Sequence, residues 1–454
     1  MFNPNSTAVF KDQGVDTGLG YVSLLKSVTY FMSLKDYVIL FAQSFEDFRF
    51  QELESLAILE GIKADFSNHH KHTPYLIVRL ENDTQAKKLI RRSICCRAIY
   101  SLWACAKSYN DLHFILRQSG FTDIKKEPFR HASFKFVVES FNKSHSIEHQ
   151  IALINSFSYL ALEGPVFMNN PEEIYAILEE WTVDSLKYVF MGRQIAKSSR
   201  HAVNWFNLKK RRYIGNTSMD AELSLIIANQ ALAEKGKLVY DPFVGTGSIL
   251  LACAYYEAMI MGTDIDGRLL RGQNGRSIHS NLEQYGLTSK FLDIFTMDFL
   301  HPAIRDSLLL DIIICDPPYG LRASPKTLRK NVKNTSPPKD ASGCYFHLKK
   351  DYIPPTEPYS FDELIAKLMT FASDHLLTEG RLVFWMPSME EKPEASVPQH
   401  PNLLLIANSK QCFGKWSRKL LTYVRKDRTV FNQNVTPEII ENKFREKYFT
   451  SKNK

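Results

Sequence analysis

The chain has 454 residues, 44% of them apolar, enough for two or three domains with sizeable buried cores rather than one small module. Its 57 Lys and Arg against 49 Asp and Glu give a formal net charge of +8, which favours anionic partners and allows nucleic acid. Charge interrupts the most apolar stretches before membrane-spanning length, so no transmembrane helix is expected.

Residues 1–31 read as a poorly ordered extension without a cleavage site or targeting pattern. A strand is expected over 37–41 and an amphipathic helix over 50–62, where Leu53, Leu56, Ala57 and Leu59 recur at helical spacing and Gly61 supplies a stop. A strand over 75–80 precedes a helix over 83–92. Phe134, Phe136 and Val138 alternate as in a strand, and a helical segment follows over 147–156. Asn169-Asn170-Pro171-Glu172 predicts a turn feeding a helix to Glu180, closed by a strand over 188–190. Residues 32–200 are therefore expected to form an α+β region, with helices packed on antiparallel strands.

Residues 196–215 turn basic and polar, which suits a surface connection, and 201–236 read as that connection plus the first helix of a second unit. Within 237–450 strands over 238–240, 259–262, near Phe291, 309–314 and 382–385 alternate with helices, the signature of a doubly wound, mostly parallel α/β sheet. The stretch 322–352, rich in Lys, Arg, Ser and Pro, is expected to be a mobile basic loop.

The seven cysteines include no C-x-x-C pair, as in proteins of a reducing, cytoplasmic compartment, and neither disulfides nor bound zinc are expected. His69-His70-Lys71-His72 beside Pro74 reads as a solvated loop, and no metal site is assigned.

Asp241-Pro242-Phe243-Val244-Gly245-Thr246-Gly247-Ser248 follows a strand and opens a helix. Gly245 and Gly247 there let backbone amides approach a ligand at a helix N-terminus, with Asp241 and Phe243 alongside. Asp264, at the tip of the next strand, either accepts a ribose diol or caps a helix. Leu250 stands where a dinucleotide fingerprint needs its third glycine, which leans away from a dehydrogenase. Asp298 after the third strand either meets an adenine amino group or serves as an ordinary surface or capping residue.

Asp316-Pro317-Pro318-Tyr319 after the buried strand expected over 310–315 is the most specific signal. The lone pair of an exocyclic base amine is delocalised into the ring, so the nitrogen is a poor nucleophile until it becomes tetrahedral. The Asp316 carboxylate and the Pro317 carbonyl would accept its two N–H bonds and aim the lone pair at a sulfonium methyl, while Tyr319 would stack on the extruded base. The pattern points to methyl transfer from S-adenosylmethionine to a nucleic-acid base. The basic run Lys209, Lys210, Arg211 and Arg212 is either a solvated face or an RNA contact.

Gly192-Arg193-Gln194-Ile195, Tyr213-Ile214-Gly215-Asn216-Thr217-Ser218-Met219-Asp220, the Asp241 loop, Gly262-Thr263-Asp264-Ile265-Asp266 and Asp316-Pro317-Pro318-Tyr319-Gly320-Leu321-Arg322 together resemble the catalytic subunits of eukaryotic tRNA guanosine-10 N2-methyltransferases. The likeness runs from about Met32 to the closing Phe444-Arg445-Glu446-Lys447-Tyr448-Phe449. It implies a Rossmann-like class I methyltransferase domain preceded by a THUMP-type RNA-binding region, with tRNA as substrate. It also implies that Thr217 and Ser218 line the methionine end of the cofactor, and that a small zinc-binding activator protein docks on the catalytic domain as a heterodimer. Arg322 joins the expected RNA contacts. Two alternatives stand beside this reading: N6-adenine methylation of RNA or DNA, and a non-catalytic tRNA-binding scaffold.

Overall fold

The computed structural model describes residues 34–67, 70, 72–118, 129–321, 323–329, 339–349, 352–389, 397–427, 437–438, 444, 446 and 448. The extension 1–31, His69, Lys71, Arg322 and part of the basic loop lie outside the described residues.

Strands β1 (Lys35–Phe41), β2 (Tyr75–Leu80), β3 (Cys96–Ala106), β4 (Phe134–Phe141), β5 (Glu173–Trp181) and β6 (Leu186–Lys197) form one sheet in the order β2-β1-β3-β6-β5-β4. Only the β4–β5 pair is parallel. The helices Arg49–Leu59 and Asp83–Arg91 bury Leu53, Leu56, Leu89 and Ile90 against Tyr37 and Ile39 of β1. Asn82 caps the second helix by accepting from Gln85 N at 3.0 Å.

The helix expected up to Glu180 is in fact strand β5. It lies between β6 and β4 with both faces covered, Tyr175 and Ile177 in one apolar cluster and Ala176 and Leu178 in another. A strand buried on both sides loses its period of two, and at this length its apolar run reads like a helix.

The second sheet has the order β14-β15-β13-β10-β7-β8-β9, from β7 (Leu238–Asp241), β8 (Met259–Asp264), β9 (Phe291–Thr296), β10 (Leu310–Cys315), β13 (Leu376–Met389), β14 (Leu403–Cys412) and β15 (Trp416–Arg425). The strands from β9 through β13 in this order are parallel, whereas β15 and β14 are antiparallel additions. Ile312 and Ile314 face one core and Ile313 and Cys315 the other, so from Ile312 onward β10 is apolar on both faces. Inside the loop expected over 322–352, β11 (Lys326–Leu328) pairs with β12 (Thr356–Pro358), so part of it is ordered strand.

A buried polar seam joins the two sheets. Glu52, fully buried, accepts from Ser93 Oγ at 2.7 Å, Ile94 N at 2.9 Å, Cys95 N at 2.8 Å and Asn229 Nδ2 at 2.7 Å. Arg92 reaches across to Asn229 Oδ1 and Ala233 O, both at 2.8 Å, and lies 3.7 Å over the Tyr256 ring. Arg381 bridges in the opposite direction, donating to Ser55 Oγ at 3.0 Å and to the Gln230 carbonyl. No described helix is long and apolar enough to cross a membrane.

Candidate active site

Four acidic side chains come from four successive parallel strands. Asp241 ends β7, Asp264 ends β8, Asp298 lies two residues beyond β9, and Asp316 directly follows β10. Parallel strands deliver their carboxyl ends to one edge, and the crossover from β9 to β10 on the far side of β7 opens a crevice there. All four carboxylates line a single cavity of about 970 Å³.

The loop after β7 is shaped by its glycines. Gly245 and Gly247 have φ of +52° and +75°, a region costly for other residues, and a Cβ on Gly247 would meet Ile278 at 3.0 Å. Gly247 sets up the helix Ser248–Tyr255, while Asp241, Phe243 and Gly245 line the cavity itself. Asp264 ties this loop to β8, its Oδ2 accepting from Gly245 N and its Oδ1 from Asp266 N, both at 2.9 Å. Asp266 rather than Asp264 caps the following helix, Gly267–Arg271. A carboxylate has about four acceptor positions, so Asp264 keeps capacity for a further donor.

Asp241 is buried and accepts from Phe243 N at 2.9 Å. Burial holds its carboxyl well above the usual range against the pull of that bond, and the charges of Asp264 and Asp316 add to the rise. Burial also raises Asp264, opposed by its bonds from Asp266 and Gly245. Such a site favours positive charge in a ligand.

Asp298, expected either to meet an adenine amino group or to serve as an ordinary surface or capping residue, is held by several protein donors. Its Oδ1 accepts from Leu300 N at 3.0 Å; its Oδ2 accepts from Thr327 Oγ1 at 2.7 Å and Leu328 N at 3.0 Å, with His301 Nδ1 at 3.0 Å. Burial pushes this carboxyl up, but the bonds from Leu328, His301, Thr327 and Leu300 outweigh it and leave it below the usual range. Much of its acceptor capacity is spent on anchoring β11 beside the cavity it lines.

Pro317 and Tyr319 also line the cavity. The chain turns at Gly320, where φ is +97° and N donates to Ala323 O at 2.7 Å. The Tyr319 ring packs 6.4 Å from Trp416 and 6.2 Å from Phe444. Arg418 of β15 places Nη1 3.5 Å from Asp316 Oδ2. Its guanidinium lies 4.0 Å over the Trp385 ring, and its Nε donates to Gln411 Oε1 at 2.8 Å. Thr217 and Ser218 complete the wall, Ser218 Oγ lying 2.7 Å from Thr246 Oγ1 and accepting from Gly215 N at 2.8 Å. Phe45, from the N-terminal sheet's side of the seam, reaches the same cavity.

The basic run does not act as one face. Lys209, Lys210 and Arg212 are exposed outside the cavity lining. Arg211 is turned inward, donating to Ser248 Oγ at 2.8 Å and Phe206 O at 3.0 Å, which corrects its assignment as an RNA contact. Sequence reasoning missed Arg418, Trp416, Phe413, Gln411 and Phe45, because the β14–β15 pair and the Phe45 turn join the site only through tertiary pairing.

Residues 35–200 match a family model described as the Tmrp11 THUMP N-terminal domain, and residues 209–333 one described as an RMKL-like methyltransferase domain. The tRNA (guanine(10)-N(2))-methyltransferase of Saccharomyces cerevisiae is 41% identical over 435 residues, spanning 92% of this chain and 100% of that protein. The Schizosaccharomyces pombe protein of the same description is 42% identical over 389 residues, 83% and 81% of the two chains. The Homo sapiens protein described as tRNA (guanine(10)-N(2))-methyltransferase TRMT11 is 32% identical over 449 residues, 92% of this chain and 96% of that one.

Proposed function

Because the chain belongs to the tRNA (guanine(10)-N2)-methyltransferase family, we propose that it transfers a methyl group from S-adenosylmethionine to the exocyclic N2 of guanosine 10 in tRNA. The observation that carries this reading is the opening of Asp316-Pro317-Pro318-Tyr319 into the same cavity as the Asp241 loop and Asp264. Acceptor for the amine and cradle for the methyl donor thus share one chamber.

The residues present fit that cofactor. A glycine loop at a helix start, a strand-tip carboxylate with acceptor capacity left, and a cluster of buried carboxylates suit a ribose-bearing cation. When bound, S-adenosylmethionine supplies a methyl activated by positively charged sulfur. Asp264 would hold its ribose, Phe243, Gly245 and Gly247 would shape its cradle, and Thr217, Ser218 and Asp241 would lie at its charged end. Asp298 serves the same pocket by holding β11 in place. Asp316 and the Pro317 carbonyl accept the two N–H bonds of the guanine amine, which turns the nitrogen lone pair outward and offsets charge developing there. Tyr319 supplies a ring for the extruded base.

In this reading residues 32–200 bind the RNA, 201–236 connect, and 237–450 perform the chemistry. Lys209, Lys210 and Arg212 would meet phosphates. A small zinc-binding activator would dock on the catalytic half, with the complex working in the cytoplasm. The test combines the purified chain, with and without that activator, a labelled methyl donor and unmodified tRNA, followed by mapping of the labelled base. N2-methylguanosine at position 10 is the expected product, and label on adenine N6 instead would overturn the reading.

A further inference from the structure

We propose that Arg418 is the residue that makes the chamber select guanine, by donating to O6 of the base whose amine lies against Asp316. The inference rests on the reading above, that a guanine amine is what Asp316 receives.

Arg418 is a fixed cation inside the reaction cavity. Its side chain is 11% exposed, its guanidinium lies over Trp385, itself fully buried, and its Nε is tied to Gln411 on the neighbouring strand. Nη2 also lies 3.6 Å from Met219 Sδ, so the side chain is held on several sides. The 3.5 Å to Asp316 Oδ2 is long for a charge-assisted bond, which closes to roughly 2.7–2.9 Å when a guanidinium and carboxylate truly pair. The cation therefore stands beside the acid on the cavity wall, and its five N–H donors outnumber these contacts.

Base edges differ in what they show such a pair. Read from the reactive amine inward, guanine offers an N2–H donor, an N1–H donor and then the O6 acceptor. Adenine offers an N6–H donor and then the bare N1 acceptor, and cytosine an N4–H donor followed by the N3 and O2 acceptors. A carboxylate flanked by a guanidinium presents acceptor, acceptor and donor in sequence, which complements guanine alone. Adenine or cytosine would press a ring nitrogen's lone pair against the Asp316 carboxylate. Arginine is the usual partner of guanine O6, and stacking on Trp385 holds its plane without extra ordering when the base arrives.

The test compares tRNA carrying guanosine with tRNA carrying 2-aminopurine at the target position. The analogue keeps the reactive amine but lacks O6 and N1–H. For the wild-type protein, kcat/KM should favour guanosine strongly. In Arg418→Gln that preference should shrink about tenfold or more, in line with the discrimination that one good arginine–base pair supplies. Arg418→Lys should fall between, and it provides the ratio should Arg418→Gln turn over too slowly to measure. Because the ratio is taken within each variant, a general loss of activity or stability cancels. A ratio unchanged from wild type in the variant would overturn the role given to Arg418. Wild-type protein that methylates no guanosine at all would overturn the underlying reading instead, and the inference with it.

Discussion

Asn229 of the catalytic half donates its amide to the Glu52 carboxylate of the N-terminal half at 2.7 Å, with both side chains fully excluded from solvent. Glu52 thereby becomes the common acceptor for the turn at 93–95 and for the helix Ala221–Gln230. The relative placement of the two halves is fixed by directional bonds in a dry setting, where each is costly to leave unmade.

Removing that acceptor should be expensive. Glu52→Ala leaves the amides of Ile94, Cys95 and Asn229 without their carboxylate, and a loss of about 3 kcal/mol or more is expected. Urea unfolding of the variant beside wild type measures it, and a loss under about 1 kcal/mol would show that the seam is held elsewhere.

Asp316→Ala should lower kcat by roughly a hundredfold or more, as loss of a positioned electrostatic group commonly does. Affinity for tRNA should persist, because phosphate contacts rather than this carboxylate carry most of that binding. Single-turnover rates and filter binding separate the two effects. An unchanged rate removes Asp316 from the chemistry.

Asp241 gives a stability test with a defined pH window. Its folded carboxyl titrates well above the ordinary value, so what it contributes to stability is fully present below about pH 4 and is lost as the pH rises through its folded value. Near pH 7 the ligand-free protein therefore carries the cost of a buried, crowded acid. Asp241→Asn keeps an acceptor for Phe243 N and should gain about 1 kcal/mol or more at pH 7, with the gain fading toward pH 4. Denaturant titrations at both pH values test this, and a variant less stable than wild type at pH 7 contradicts it. Affinity for S-adenosylmethionine should fall in the same variant, an exchange of function for stability.

The basic run should split into two behaviours. Charge reversal at Lys209 and Lys210 should weaken tRNA binding and make the salt slope shallower by about one for each phosphate no longer neutralised, with little change in thermal stability. Arg211→Ala should instead destabilise the fold by about 2 kcal/mol, because Ser248 and the Phe206 carbonyl lose a buried donor. Equal binding losses in all variants would show that Arg211 faces RNA after all.

The cavity at the strand tips was readable in the sequence where the backbone itself makes it. Buried parallel strands give continuous apolar runs, and their tips announce themselves as Asp241, Asp264 and Asp316. Where strand and helix produce the same apolar string, as at β5, pattern alone chose wrongly. The C-terminal pair β14–β15 went unseen, since exposed Leu404, Leu405 and Ile406 break the alternation that marks an edge strand. Arg418 sits in Ser417-Arg418-Lys419, which reads as a solvated stretch until β15 is paired beside β13 and the guanidinium falls on Trp385. Asp298 was located correctly at its strand, but the partners that occupy it, Thr327 and Leu328, lie in a stretch whose composition announced only a loop.

Phe45 sits at φ +48° and ψ +51°, a backbone conformation an aromatic residue rarely adopts, and in doing so it reaches the wall of the cavity that Asp316 lines. Its neighbour Phe48 packs 5.9 Å from Trp385, the platform beneath Arg418. The THUMP half is thus masonry of the cavity wall. Transplanting the C-terminal half alone onto a different N-terminal unit would leave a breach in that wall, so the two halves are best engineered as one casting.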